Sequence, residues 1–166
     1  MKTLLFVFAT LVLGFGVAHA QSNAYDHIYD PTANAAADLK KACAEAAAAK
    51  KHVLVQIGGN WCIWCKRFYK LTTEDSALNR EISANYVVYH LNYSKEQKNL
   101  PILAQYGYPQ RFGFPVLLVL DAKGNRLHTQ NTSLLEEANG YDAKKVMGML
   151  KDWTPAAISP SNYINE

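Results

Sequence analysis

The chain is 166 residues long, with 17 Lys and Arg against 14 Asp and Glu, a formal net charge of +3 and 49% hydrophobic residues. So small and scattered a positive balance gives no electrostatic footprint for nucleic acid or an anionic membrane surface. Three cysteines, an odd number in so long a chain, argue against a disulfide-stapled scaffold and for one domain with its own hydrophobic core.

The first twenty residues read as an export leader. Lys2 supplies a positive start, Leu4 to Val17 is apolar and uncharged, and Ala18-His19-Ala20 presents small residues at −3 and −1, which predicts cleavage between Ala20 and Gln21. An uncleaved membrane anchor is the alternative, but the apolar run is shorter than the about 20 residues a spanning helix needs. A lipid anchor would need a cysteine directly after the cleavage site, and the first is Cys43. The expectation is a protein exported to the periplasm or the medium, without stable membrane insertion after cleavage. Losing Lys2 with the leader leaves 146 residues carrying +2.

Residues 21–34 form an irregular lead-in, with Asp30-Pro31 as a turn and Thr32 or Asn34 as a helix cap. The domain is expected to span 35–153. Ala35 to Lys50 is strongly helix-forming, and Leu39, Cys43 and Ala46 make an apolar stripe that places Cys43 in the core as a small apolar side chain. Val53 to Ile57 is a buried strand, broken by Gly58-Gly59-Asn60. A helix from Cys62 to about Leu71 follows, with Trp64, Phe68 and Leu71 on one side, then a short helical piece from Ser76 to Ala84. Tyr86 to Tyr93 is a strand centred on Val87, Val88, Tyr89 and Leu91. A short helix around Ile102 to Tyr106 precedes the aliphatic strand Val116 to Leu120. Asp121 to Asn125 turns a hairpin, with Gly124 available for positive φ, into an edge strand from Arg126 to Gln130. Asp142 caps a last helix whose face is Val146, Met149, Leu150 and Trp153. Pro155 stops it, and residues 154–166 are expected to be loose. The order predicts an α/β fold: a central mixed sheet, with a parallel βαβ half and an antiparallel hairpin, covered by helices on both faces.

The chemistry concentrates in Cys62-Ile63-Trp64-Cys65, set between a strand and a helix. Unpaired N–H groups and the positive end of the macrodipole favour a thiolate at a helix start, which lowers its pKa and makes Cys62 a nucleophile. Cys65, three residues on, can attack a mixed disulfide formed at Cys62. Zinc would need further ligands at regular spacing, and Cys43, His27, His52, His90 and His128 are scattered. A purely structural bridge over so short a loop would restrain little chain entropy. Pro115, at the head of a strand, is sterically permitted there, with trans as the default for its bond.

Lys51 to Phe68, Gly113 to Val116 and the Asp121 to Asn125 hairpin together resemble exported members of the thioredoxin family, most closely the domains that end periplasmic thiol:disulfide interchange proteins. The resemblance covers most of residues 35–153. Trp61-Cys62 with Cys65-Lys66 matches the family's active-site signature, and Phe114-Pro115 its cis-proline loop. It implies a thioredoxin fold, a redox disulfide between Cys62 and Cys65, a cis Pro115, and client docking by Trp61, Phe114 and Pro115. It implies no organic cofactor or metal, since electrons pass through the dithiol, and it implies disulfide- or thiol-bearing protein clients and a separate redox partner.

Two departures stand out. Many thioredoxins carry a buried aspartate six residues before the first cysteine, where this chain has Gln56, which cannot titrate. No histidine neighbours Cys62 within the motif, which leans toward a reductant or isomerase rather than an oxidant. Gln56 leaves open a second reading, a binding or chaperone module without turnover. Lys66 and Arg67 steer acidic substrates or only solvate their helix. Tyr106, Tyr108 and Phe112 form either an aromatic rim to a peptide groove or part of the core.

Overall fold

The computed structural model describes residues 25–164, so the predicted leader and its cleavage site lie outside the described residues. Alanine-rich sequence of high helix propensity forms α1 (Ala35–Ala49), and the Asn34 side chain caps it by accepting the Ala37 N–H at 3.1 Å. The buried line of α1 is Ala35, Leu39, Ala42 and Ala46. Cys43 does not belong to it: the thiol is half-buried at the flank, because residue 43 lies about 100° round the helix from the inward-facing Ala42.

Four strands make the main sheet in the order β2-β1-β3-β4: β1 (His52–Gly58), β2 (Tyr86–Asn92), β3 (Val116–Leu120) and β4 (Arg126–Asn131). β1 runs parallel to β2 and antiparallel to β3, and β3 runs antiparallel to β4. The alternation of side chains along a strand divides the core in two. Val53, Val55 and Ile57 of β1 join Val116, Leu118 and Leu120 of β3 beneath α1 and α4 (Leu100–Gln105). On the other face Leu54, Leu117 and Val119 meet Phe68 of α2 (Ile63–Glu74), Leu78 and Ile82 of α3 (Ser76–Asn85), and Val146, Met149 and Leu150 of α5 (Ala143–Asp152). Cover on both faces is why β1 and β3 read as unbroken apolar runs. This is the mixed α/β architecture that the element order predicts. The expected caps and turn are also present: Asp142 accepts from the N–H groups of Lys144 and Lys145, and Gly124 has φ of 83°.

Other local expectations change. α2 continues through Thr72 and Thr73, whose hydroxyls donate to the Phe68 and Tyr69 carbonyls one turn back, at 3.0 and 2.8 Å. Its buried line is Cys65, Phe68 and Thr72, rotated from the predicted Trp64, Phe68 and Leu71, because Cys65 must turn inward. β2 is one of the two sheet edges, which leaves Val88 40% exposed although its β-branched run reads as a strand centre. Between β4 and α5 lies a small antiparallel pair, β5 (Glu136–Glu137) and β6 (Gly140–Tyr141); strands of two residues carry no period to read. Trp153 lies just past α5 and stacks on His128 with centroids 4.5 Å apart.

Candidate active site

β1 delivers the chain to Gly58, and the turn that follows sets Cys62 as the N-cap of α2. The Cys62 backbone is extended (φ −90°, ψ 106°), and its Sγ accepts the Cys65 N–H at 3.1 Å. Sulfur thus stands where a Ser or Asp oxygen would ordinarily cap a helix, among unpaired N–H groups at the positive end of the dipole. A disulfide joins Cys62 to Cys65, with Cα atoms 5.2 Å apart. Cys62 keeps 4% of its surface exposed and Cys65 none, so the first cysteine borders the outside and the second is sealed behind it.

Close approach explains Gly58. A Cβ there would collide with Cys65 Sγ and would stand 2.8 Å from the Tyr29 hydroxyl. The Gly58 carbonyl accepts the Tyr93 N–H at 2.5 Å, and the Tyr93 carbonyl accepts the Trp61 indole N–H at 2.8 Å. The Trp61 ring is 60% exposed and meets Phe114 edge-on at 5.5 Å. Phe114 also packs on Tyr93, with centroids 4.7 Å apart, and against the cluster that holds both cysteines. The Phe114–Pro115 bond is cis, as the resemblance implied and contrary to the trans default. Pro115 is buried, and the pairing of Ile57 with Val116 sets it at the level of Gly58. Its carbonyl accepts the Thr132 hydroxyl at 2.5 Å. The structure therefore brings Trp61, Cys62, Cys65, Phe114 and Pro115 to one end of the sheet.

The sequence reading missed Tyr29. From the lead-in its ring reaches beneath the cysteines and is 2% exposed, in one cluster with Cys62 and Cys65. Its hydroxyl accepts from Gln56 Nε2 at 2.6 Å, and the same nitrogen donates to the Cys65 carbonyl at 3.2 Å. Burial, partly offset by the Gln56 hydrogen bond, pushes the Tyr29 phenol well above its usual range. His90 pairs in register with Gln56 across β1 and β2 and meets the Tyr29 ring edge-on at 5.7 Å. Burial pushes its pKa down to about 4, so its imidazole is neutral near pH 7. Aromatic and Asx-type residues in the lead-in are the only sequence signal for this arrangement, and they specify no partner.

Lys66 pairs with Asp26 of the lead-in at 2.6 Å. Arg67 lies over the Trp64 ring, 4.7 Å from its centroid. Of the proposed aromatic rim, Tyr106 belongs to the core and donates to the Gly124 carbonyl at 3.1 Å, while Tyr108 and Phe112 are 59% and 39% exposed. Cys43 sits on the α1 face near Tyr106, with its thiol pushed up by burial and then by Asp121. An open cleft of about 580 Å³ runs beside Trp61, between Asn60, Tyr93 and Pro31.

Curated relatives of similar sequence are thiol:disulfide interchange proteins DsbD. That of Yersinia enterocolitica is 26% identical over 106 residues, 63% of this chain and 18% of the relative. That of Yersinia pestis is 26% identical over 110 residues, 66% of this chain and again 18% of the relative. The chain thus spans less than a fifth of the length of these relatives. Among solved structures, a disulphide isomerase from Xylella fastidiosa Temecula1 superposes with a TM-score of 0.65 at 22% identity, over 75% of this chain and 95% of that one. The oxidised C-terminal domain of Neisseria meningitidis DsbD gives 0.51 at 20% identity, over 70% and 94%. Both share the fold. A family described as thioredoxin-like matches residues 33–122, a stretch that holds α1, the C-x-x-C helix start and the cis-proline strand, and the chain belongs to that thioredoxin-like family.

Proposed function

We propose that the protein is a thiol:disulfide oxidoreductase of exported proteins, acting in the periplasm or the medium as a reductant or isomerase. Its nucleophile is Cys62 and its resolving residue Cys65. The observation that carries this reading is the Cys62 sulfur capping α2 with the Cys65 N–H at 3.1 Å, in front of a fully buried partner. The name and distant similarity of the DsbD relatives support the same chemistry.

In this mechanism the Cys62 thiolate attacks one sulfur of a client disulfide, and the other client sulfur leaves as a thiolate that takes up a proton. Cys65 then attacks Cys62 Sγ, forming the intramolecular disulfide and freeing the second client sulfur. Two electrons pass to the client, and a separate dithiol partner must return them. Trp61, Phe114 and Pro115 supply the docking surface. The Lys66 charge is answered by Asp26 at 2.6 Å, which leaves the helix start as the main stabiliser of the Cys62 thiolate and supports reduction or isomerisation over oxidation. The alternative, a binding or chaperone module without turnover, leans on Gln56, whose amide donates to the Cys65 carbonyl. Cys62→Ser/Cys65→Ser separates the two, since a holdase should keep client protection in that variant and an oxidoreductase should lose it.

The test is client trapping. Cys65→Ser should accumulate a mixed disulfide with a client peptide, and Cys62→Ser should lose client reduction. Full reduction by Cys62→Ser would overturn the assignment.

A further inference from the structure

Resolution requires Cys65 as a thiolate, and Cys65 is completely buried, where the charged form is disfavoured. The Gln56 position cannot supply a titrating acid. The hydrogen bonds around it nevertheless prescribe where a proton can point. Because Gln56 Nε2 donates to the Cys65 carbonyl at 3.2 Å, which can only accept, the amide is oriented with its NH₂ toward Tyr29. The Tyr29 oxygen, 2.6 Å away, must then accept from that same NH₂. Its own O–H is thereby directed away from Gln56. The hydroxyl oxygen and Cys65 Sγ converge on one point above the Gly58 Cα, the space a Cβ would fill.

Resting on the oxidoreductase reading, we propose that the Tyr29 hydroxyl, oriented by Gln56, donates a hydrogen bond to the Cys65 thiolate once the disulfide opens and so sets the rate of the resolving step. In the oxidised pair the sulfur is a weak acceptor and takes no such bond among the described residues. During resolution the Cys65 thiol loses its proton to solvent water, the thiolate forms a bond to Cys62 Sγ, and the bond from Cys62 to the client sulfur breaks. The electron pair leaves with the client sulfur, which ends protonated. Tyr29 keeps its proton throughout, since burial holds the phenol far above neutral pH. Other titratable groups near this spot are His90 on β2, neutral near pH 7, Tyr141 on β6, its phenol pushed up to about 12 by burial, and Lys66, paired with Asp26. None of them is linked by a hydrogen bond to the Cys65 sulfur.

The experiment follows the reduced protein, in a Cys43→Ala background, reacting with the aromatic disulfide dithionitrobenzoate. A first thionitrobenzoate leaves when Cys62 attacks, and a second when Cys65 resolves. In Tyr29→Phe, which keeps the ring, the first phase should be unchanged. The pH midpoint of the second should rise by about one unit, so that near neutral pH it is about tenfold slower and alkaline pH restores it. Gln56→Leu, which removes the orienting amide, should shift the midpoint in the same direction and decides the matter if Tyr29→Phe does not fold. A second phase unchanged in both variants, or slowed equally at every pH, overturns the role of Tyr29 while leaving the oxidoreductase reading intact. A parent protein that shows no two-phase release overturns both.

Discussion

Tyr29 and Asn60, 31 residues apart in sequence, clasp each other twice: the Tyr29 N–H donates to Asn60 Oδ1 at 3.0 Å, and the Asn60 amide donates back to the Tyr29 carbonyl at 2.8 Å. The clasp ties the lead-in to the turn that carries Trp61 and Cys62. Asn60→Ala leaves both Tyr29 backbone groups without a partner, and losing such satisfaction costs about 1–3 kcal/mol. Urea unfolding of the oxidised protein should show that loss, and an unchanged midpoint would count against the clasp.

Gly58→Ala tests the crowding at the base of the site. The new Cβ would meet Cys65 Sγ and stand 2.8 Å from the Tyr29 hydroxyl, and neither the bridged sulfur nor the buried ring can swing away. Overpacking of this kind costs about 1–3 kcal/mol. Thermal melts should show a lowered Tm in the oxidised protein, whereas Gly148→Ala, with open space around it, should not lower it.

His90 makes acid destabilising. Its folded pKa, pushed down to about 4 by burial, lies below the roughly 6.5 of an unfolded histidine. Between the two the unfolded chain binds more protons, so stability rises with pH across that window. The contribution is fully present above about 6.5 and is lost as pH falls toward 4; its full extent is roughly 3 kcal/mol. His90→Phe, which keeps an aromatic edge toward Tyr29 and Tyr69, should reduce the loss of unfolding free energy between pH 7.5 and pH 4.5. An equal loss in both proteins would contradict the half-buried, neutral imidazole.

Phe114 packs against the cysteines and touches Trp61 at 5.5 Å and Tyr93 at 4.7 Å between ring centroids, and the proposed function puts it on the client-docking surface. Phe114→Ala should weaken client binding more than the chemical step, raising KM for a peptide disulfide by roughly tenfold, about 1.4 kcal/mol, with a smaller change in kcat. Loss confined to kcat would place Phe114 outside the docking surface.

The disulfide-bonded pair was legible because its signal is local: a β-branched run, two glycines and C-x-x-C at a helix start lie together in the chain. The sheet was legible for the same reason, since β1 and β3 are short aliphatic runs bounded by turns. Cys43 misled because cysteine is often buried, yet the inward line of α1 passes through the smaller Ala42. Gln56 stood out as a departure, but its partners did not. Tyr29 comes from a segment with no periodicity, 27 residues from Gln56, and His90 faces Gln56 only through the register of β1 on β2. Contacts of that range follow from the assembled fold and leave no mark in a short window of sequence.

The most direct test is the reduction potential of the Cys62–Cys65 couple, titrated in dithiothreitol or glutathione buffers and followed by fluorescence of Trp61 and Trp64. The expected result is a reversible two-electron couple between about −270 mV, the thioredoxin value, and about −180 mV, that of protein disulfide isomerase. A value near −120 mV, typical of strong disulfide donors, would contradict the assignment as reductant or isomerase. Absence of any reversible couple would contradict the oxidoreductase itself.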